Sequence, residues 1–228
     1  MNKKIEIKQE TIPIKRIAKQ EKPKLKVIPL GGLEEVGKNM TLLEYDRNII
    51  IIDIGLKFAE EDMPGVDFII PTIDYLKDKK DDKPDNTVII SSGDMYQGSY
   101  DAYHNRGRVV TESMNEIGFD SMTIGNHEFD WGTADILDNV GWADFPLLGA
   151  NIMEYPNTSV KSSIGEEYVI IERGFLKIGI IGVIGQGQIT SINSRYMQNL
   201  YFEEPTQIIK DLSVELREEQ EVDIVVLS

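Results

Sequence analysis

Residues 87–94, TVIISSGD, and 121–130, SMTIGNHEFD, decide the fold. Each is an apolar run that stops abruptly at polar residues. The first ends in Gly93-Asp94, the second in Asn126-His127-Glu128-Phe129-Asp130. Short apolar runs bounded by such turn residues read as buried strands. Between them, RGRVVTESMNEI (106–117) places Val109, Val110, Met114 and Ile117 at helical spacing. Strands alternating with helices predict an α/β layered domain from about residue 84 onward.

The same alternation continues outward. Residues 133–140 predict a short helix, and FPLLGANI (145–152) another strand. EYVIIERGFLKIGIIGVIG (167–185) is two apolar runs broken at Arg173-Gly174, a predicted hairpin. PTQIIKDLSVELREEQ (205–220) starts with Pro205 at a first helical position and lines up Ile208, Ile209, Leu212 and Leu216 on one face. VDIVVLS (222–228) is a last buried strand. Toward the N-terminus, DKKDDKPDN (78–86) is wholly polar and reads as a linker. MTLLEYD (40–46) and NIIIIDIG (48–55) predict a hairpin around Asp46-Arg47-Asn48, and LKVIPL (25–30) a short strand. The expected organisation is a flexible basic arm over 1–23, a small β segment over 24–77, the linker, and an α/β domain over 87–228.

Charge and composition narrow the function. The chain has 228 residues, 41% of them hydrophobic, and a net charge of −15. Residues 1–30 carry a net +6 and the remainder −21. An acidic body repels polyanions, which argues against a large nucleic-acid groove. Weak RNA contact is left to the basic arm. There are no cysteines, which removes disulfides, zinc–thiolate sites and thiol nucleophiles together. No run of 18 apolar residues is present, so no membrane span is expected, and the N-terminus lacks the unbroken apolar stretch of a signal peptide. The expected location is cytoplasmic.

The chemistry should sit at the two strand ends, since ligands of open α/β sheets gather beyond the carboxyl ends of strands. Asp94, Asn126 and His127 offer carboxylate oxygen, amide oxygen and imidazole nitrogen, donors suited to divalent ions such as manganese, zinc or iron. Trp131 reads as a packing cap on the loop, Gln97 as an anchor after Asp94, Glu128 as pointing to solvent or to a backbone N–H, and His104 as structural.

SSGDMYQGS, ESMNEIGFDSMTIGNHEFDWG and LLGANI resemble the calcineurin-like metallophosphoesterases, most closely their 5′-nucleotidase branch. The resemblance covers roughly residues 84–228 and implies an α/β sandwich that hydrolyses phosphoesters of nucleotides with two divalent metals. It implies that Asp94 bridges the metals and that Asn126 binds one of them. It also implies that His127 sits beside the phosphate, with Asp130 orienting its imidazole. Attack on phosphorus by a metal-bound hydroxide would follow. The family opens with a strand carrying Asp-x-His, which this chain lacks, and takes further histidines beyond a segment like DIVVLS, where this sequence stops. The resemblance therefore implies an incomplete site with weak metal binding and weak or absent turnover.

KLKVIPLGGLEEVGKNMTLLEYDRNIIIIDIGLKFAEEDMPGVDFIIPTIDYL (24–76) resembles instead the opening of ribonuclease J, a metallo-β-lactamase-fold nuclease, but the His-x-His-x-Asp-His ligand motif of that family is missing. A chimeric chain joined at 78–86 is the expected account. Two alternatives to the nucleotidase accompany it: a ribonuclease J-like RNA-processing fragment, and a non-catalytic fragment. A purposeful fusion makes a sharper prediction. NIIIIDIG would then replace the missing first strand, and Asp53 would lie beside Asp94.

Overall fold

Alternation within β3 (Asn48–Ile52) divides its isoleucines between two faces: Ile50 and Ile52 turn to one side of the sheet, Ile49 and Ile51 to the other. Both faces are covered, as expected for an apolar run without polar interruptions. The computed structural model describes residues 24–34, 38–46, 48–55, 57–58, 68–69, 74–76, 87–97, 100–154, 164–197 and 199–228. The basic arm (1–23) and the linker (78–86) lie outside the described residues.

One six-stranded sheet joins the two halves of the sequence. Its order is β1 (Lys26–Gly31), β2 (Met40–Tyr45), β3, β6 (Thr87–Ser91), β7 (Ser121–Thr123) and β8 (Leu147–Leu148). β4 (Lys57–Phe58) and β5 (Phe68–Ile69) form a small antiparallel pair apart from it. β1, β2 and β3 run antiparallel, and Tyr45 pairs with Asn48 across the tight turn read from the sequence. From β3 onward the sheet is parallel: β3 pairs with β6 in the register Ile49↔Thr87 to Ile52↔Ile90, then β6 with β7 and β7 with β8. A second sheet of β10 (Tyr168–Arg173), β11 (Leu176–Ile181) and β13 (Ile224–Leu227) contains the hairpin expected at Arg173-Gly174.

The two sheets face each other. Ile50, Val88, Ile90 and Leu148 from the first meet Ile171, Ile178, Ile180 and Val226 from the second in one buried cluster. On the outer face of the first sheet, α2 (Arg108–Ile117) and α3 (Thr133–Trp142) bring Met114 and Ile136 against Met122 of β7. On the outer face of the second, α6 (Pro205–Glu218), which follows the short helices α4 (Gln186–Ile189) and α5 (Ser194–Met197), buries Leu212 and Leu216 beside Ile181. Pro205 opens α6 and the Glu204 carboxylate accepts from Thr206 N–H, the start signal that the sequence predicts. The result is an α–β–β–α sandwich.

Polar groups lock the layers. Arg173, at the turn of the β10–β11 hairpin, pairs with Asp120 and donates to the Thr87 carbonyl (3.1 Å), so the second sheet is tied to the start of β6. In α2, Thr111 donates to buried Asn139 of α3 (2.7 Å), whose amide donates to the Arg106 carbonyl (2.8 Å). FPLLGANI departs from the single strand expected of it. β8 stops at Leu148, and β9 (Ile152–Glu154) pairs instead with β12 (Leu200–Phe202). The reason is Asn151, fully buried, whose amide donates to the carbonyls of Ile184 and Glu203 (3.0 Å each) while its oxygen accepts from Ile184 N–H (3.0 Å). Satisfying that side chain bends the chain out of the sheet.

Candidate active site

Three parallel strands, β3, β6 and β7, end side by side, and each delivers a polar residue there. Asp53 follows β3, Asp94 follows β6 and Asn126 follows β7. Asp53 and Asp94 both adopt left-handed backbone conformations, φ 59° and 60°. Aspartate tolerates that region better than most residues, and such conformations gather at functional sites. Both lie just past the carboxyl ends of central strands of the sheet.

Asp53 is held onto the β6 end. Its N–H donates to the Ile90 carbonyl (3.0 Å), and its Oδ1 accepts from Ser92 N–H (2.8 Å). Burial raises its pKa above the usual carboxylate range; the Ser92 amide and hydroxyl oppose the rise, and the negative charge of Asp94 adds to it. The two carboxylates are therefore electrostatic neighbours across the β3–β6 pairing.

Asp94 and the 126–130 turn are built as one unit. His127 N–H donates to Asp94 Oδ1 (2.9 Å). Glycine is required twice. A Cβ on Gly125 would lie 2.4 Å from Asp94 Oδ1, and one on Gly93 (φ 97°) would lie 2.7 Å from both Gly125 N and the Thr123 carbonyl. His127–Phe129 form a single tight turn that Asn126 precedes without capping it, so its side-chain amide is not spent on the backbone there. His127 Nδ1 faces Asp130 Oδ2 at 3.0 Å, both side chains about one-third exposed. With Nδ1 turned to Asp130, Nε2 is the nitrogen left to act outward.

Glu128 corrects the reading of a solvent-facing side chain. It is 0% exposed and accepts three backbone N–H bonds, from Asp94 (2.9 Å), Met95 (2.8 Å) and Gly125 (2.7 Å). Burial and the nearby Asp94 push its pKa up to about 7, against those three donors. The other half of that reading, a backbone N–H partner, describes it correctly. Glu128 binds the Asp94 loop to the Asn126 turn and so positions both. Its signal in the sequence is slight: one acidic residue in a turn where Phe129 is the obvious inward side chain.

Trp131 packs on buried Tyr96, with ring centroids 6.3 Å apart. His104 sits in α1 (Tyr100–His104), its ring against that of Tyr100 at 4.0 Å. The Gln97 side chain is exposed. Among the described residues, no three His, Cys, Asp or Glu side chains converge closely enough to hold a metal ion. Asp53 and Asp94 are the acidic side chains close enough there to affect each other electrostatically.

No protein-family model matches the chain. An apyrase of Tabanus yao is 34% identical over 161 residues, which cover 70% of this chain and 27% of that protein. A Staphylococcus aureus chain described as a 5′-nucleotidase superposes with a TM-score of 0.55 at 25% identity, covering 67% of this chain and 29% of its own. The calcineurin-like phosphoesterase YfkN of Bacillus subtilis shares the fold, with a TM-score of 0.54 at 22% identity over 67% of this chain and 50% of its own. The chain thus spans about a quarter of the length of the apyrase it matches. Over about two thirds of its length the chain is thus similar to an apyrase and to a 5′-nucleotidase, and it has the fold of a calcineurin-like phosphoesterase.

Proposed function

We propose that the chain is the catalytic part of a phosphohydrolase acting on nucleotides, with His127 and Asp130 as its catalytic pair and Asp94 and Asn126 as ligands of a divalent metal. The observation that carries this reading is the linked unit of Asp94, His127 and Asp130, held at one sheet edge by Glu128. The oxygen donors of Asp94 and Asn126 suit a hard or borderline ion such as manganese. Asp53 adds a second carboxylate beside Asp94, and we include it among the ligands. When bound, such an ion supplies positive charge against the phosphoryl oxygens and lowers the pKa of water.

The chain's own residues do the rest. Asp130 holds the His127 ring so that Nε2 can reach a phosphoryl or leaving oxygen and move a proton there. Asp94 takes the His127 backbone N–H on one oxygen, leaving the other for an ion. Position 55, where the family resemblance would place a histidine, is a glycine whose N–H donates to the Asn39 carbonyl (2.9 Å). The site is therefore poorer in nitrogen donors than the resemblance implies, and weak metal binding follows. The nucleotidase relatives favour this reading over RNA processing.

Phosphate release from AMP with and without manganese tests it. His127→Ala should lower the rate by roughly a hundredfold or more, the usual worth of a general acid. Manganese should raise the melting temperature of the chain, by mass action on the folded state, and Asp94→Asn should abolish that shift. Manganese-independent release, or release unchanged in His127→Ala, would remove the proposal.

A further inference from the structure

The outer side of α2 carries a single exposed stripe. Val109, Glu112, Ser113, Glu116 and Ile117 recur at the i, i+3, i+4, i+7, i+8 spacing of one helix face, and all five are exposed. With Asp144, which precedes β8, they line a groove of about 660 Å³. The stripe is apolar at both ends, where Val109 and Ile117 are 37% and 55% exposed, and acidic between them. Arg108 of the same helix pairs with Glu112 (2.8 Å). Among the described residues, no basic side chain pairs with Glu116 or Asp144. The complement of such a surface is a segment both apolar and cationic.

The chain contains that segment. Residues 11–20, TIPIKRIAKQ, hold Ile12, Ile14 and Ile17 beside Lys15, Arg16 and Lys19, with no acidic residue among them. They also enter the fold at the right end. β1 is parallel to β6, because β1–β2 and β2–β3 are antiparallel pairs and β3–β6 is a parallel one. Lys26, where β1 starts, is therefore at the same end of the sheet as the starts of β7 and β8. Ile117 and Asp144 lie just before those two starts, at the end away from Asp53, Asp94 and Asn126. Four strand spacings, ~19 Å, separate β1 from β7. Residues 12–19 precede Lys24 by five to twelve positions, so an extended chain carries them roughly 17 to 40 Å from it, enough to reach α2.

We propose that residues 12–19 of the basic arm dock in the α2 groove of the same chain, isoleucines against Val109 and Ile117 and cations toward Glu116 and Asp144. Docking withdraws the arm's charge from polyanions, so the groove sets how much of the arm is free to touch RNA. The inference goes beyond the phosphohydrolase reading and does not rest on it.

Because the chain has no cysteine, two introduced ones carry nitroxide labels uniquely. Ala18→Cys in the arm and Asp138→Cys, exposed on α3, are read by double electron–electron resonance in the full chain, with circular dichroism confirming that each variant is folded. A narrow distance distribution at low salt, broadened at 1 M salt, is expected. Glu116→Lys with Asp144→Lys should broaden it at low salt, and adding Lys15→Glu, Arg16→Glu and Lys19→Glu should narrow it again. A parent distribution already broad at low salt, or one that the groove reversal leaves unchanged, would overturn the docking. So would a narrow distribution that disappears when labelled chain is diluted with unlabelled chain, since the arm would then seat on a second copy. Val109→Ser with Ile117→Ser, which leaves the charge unchanged, supplies an independent readout. It should tighten binding of a single-stranded oligoribonucleotide by the inverse of the parent's undocked fraction. Equal binding by parent and variant would mean that the arm is free in both, and would likewise remove the proposal.

Discussion

Glu128 is the side chain on which the local architecture depends most. Three backbone N–H groups point at its two oxygens, the Gly125 bond buried and the Asp94 and Met95 bonds partly so. Glu128→Ala leaves all three without acceptors, and each stranded buried donor costs roughly 1–3 kcal/mol. A loss of at least about 2 kcal/mol is expected, read as a fall in the urea midpoint at unchanged slope. Glu128→Gln keeps one acceptor oxygen but turns an NH2 toward a backbone donor, so it should fall between the parent and the alanine variant. Space is equally unforgiving at Gly125: in Gly125→Ala the new methyl would lie 2.4 Å from Asp94 Oδ1 and displace that carboxylate. Asp94, Asn126, His127 and Asp130 could be singled out in the sequence because they lie in two short motifs, Gly93-Asp94 and Asn126-His127-Glu128-Phe129-Asp130. Glu128 was not, since three backbone donors arriving from two strand ends leave no mark on the string.

The β10–β11 hairpin earns its position through Arg173. Its guanidinium meets Asp120, a side chain 13% exposed, which also accepts from Ile89 N–H (2.9 Å). Burial raises the pKa of Asp120, while Ile89 N–H and Arg173 hold the rise back. Removing the arginine lets that pKa climb further above its unfolded value. The folded state then binds more proton than the unfolded state as pH rises past the ordinary aspartate range, and stability falls through that window. Arg173→Ala should therefore lose more stability at pH 7 than at pH 4, read from urea midpoints at the two values. An equal loss at both would mean that the arginine acts only through the Thr87 carbonyl. Helices and hairpins of this kind were readable: α6 from Pro205 and its apolar face, both tight hairpins from their turn residues. FPLLGANI was misread because one buried asparagine, satisfied from Ile184 and Glu203, overrides the apolar pattern around it.

Over the entire chain, the N-terminal strands and the α/β part meet in the middle of one sheet. β3 pairs with β6 along four residues, and Ile50 packs with Val88 and Ile90 against the second sheet. No periodicity could reveal this, because parallel pairing of distant segments is set by the fold and not by local pattern. Residues 87–228 alone would bare one edge of β6 and part of that core. Such a truncation should lose cooperative unfolding and self-associate, by circular dichroism and size-exclusion chromatography, whereas the full chain should stay cooperative. A monomeric, cooperatively folding truncation would show that the N-terminal strands are an accessory.

The same pairing imposes an order on biosynthesis. On the ribosome, the aspartate after β3 emerges well before the one after β6, and the histidine turn later still. The early carboxylate must wait in solvent until the second strand is made and docks. Only then do the two negative groups come close enough to repel each other, so that docking step is uphill in charge. A cation present at that moment would act as an assembly factor, and depletion of divalent ions should slow refolding more than it speeds unfolding.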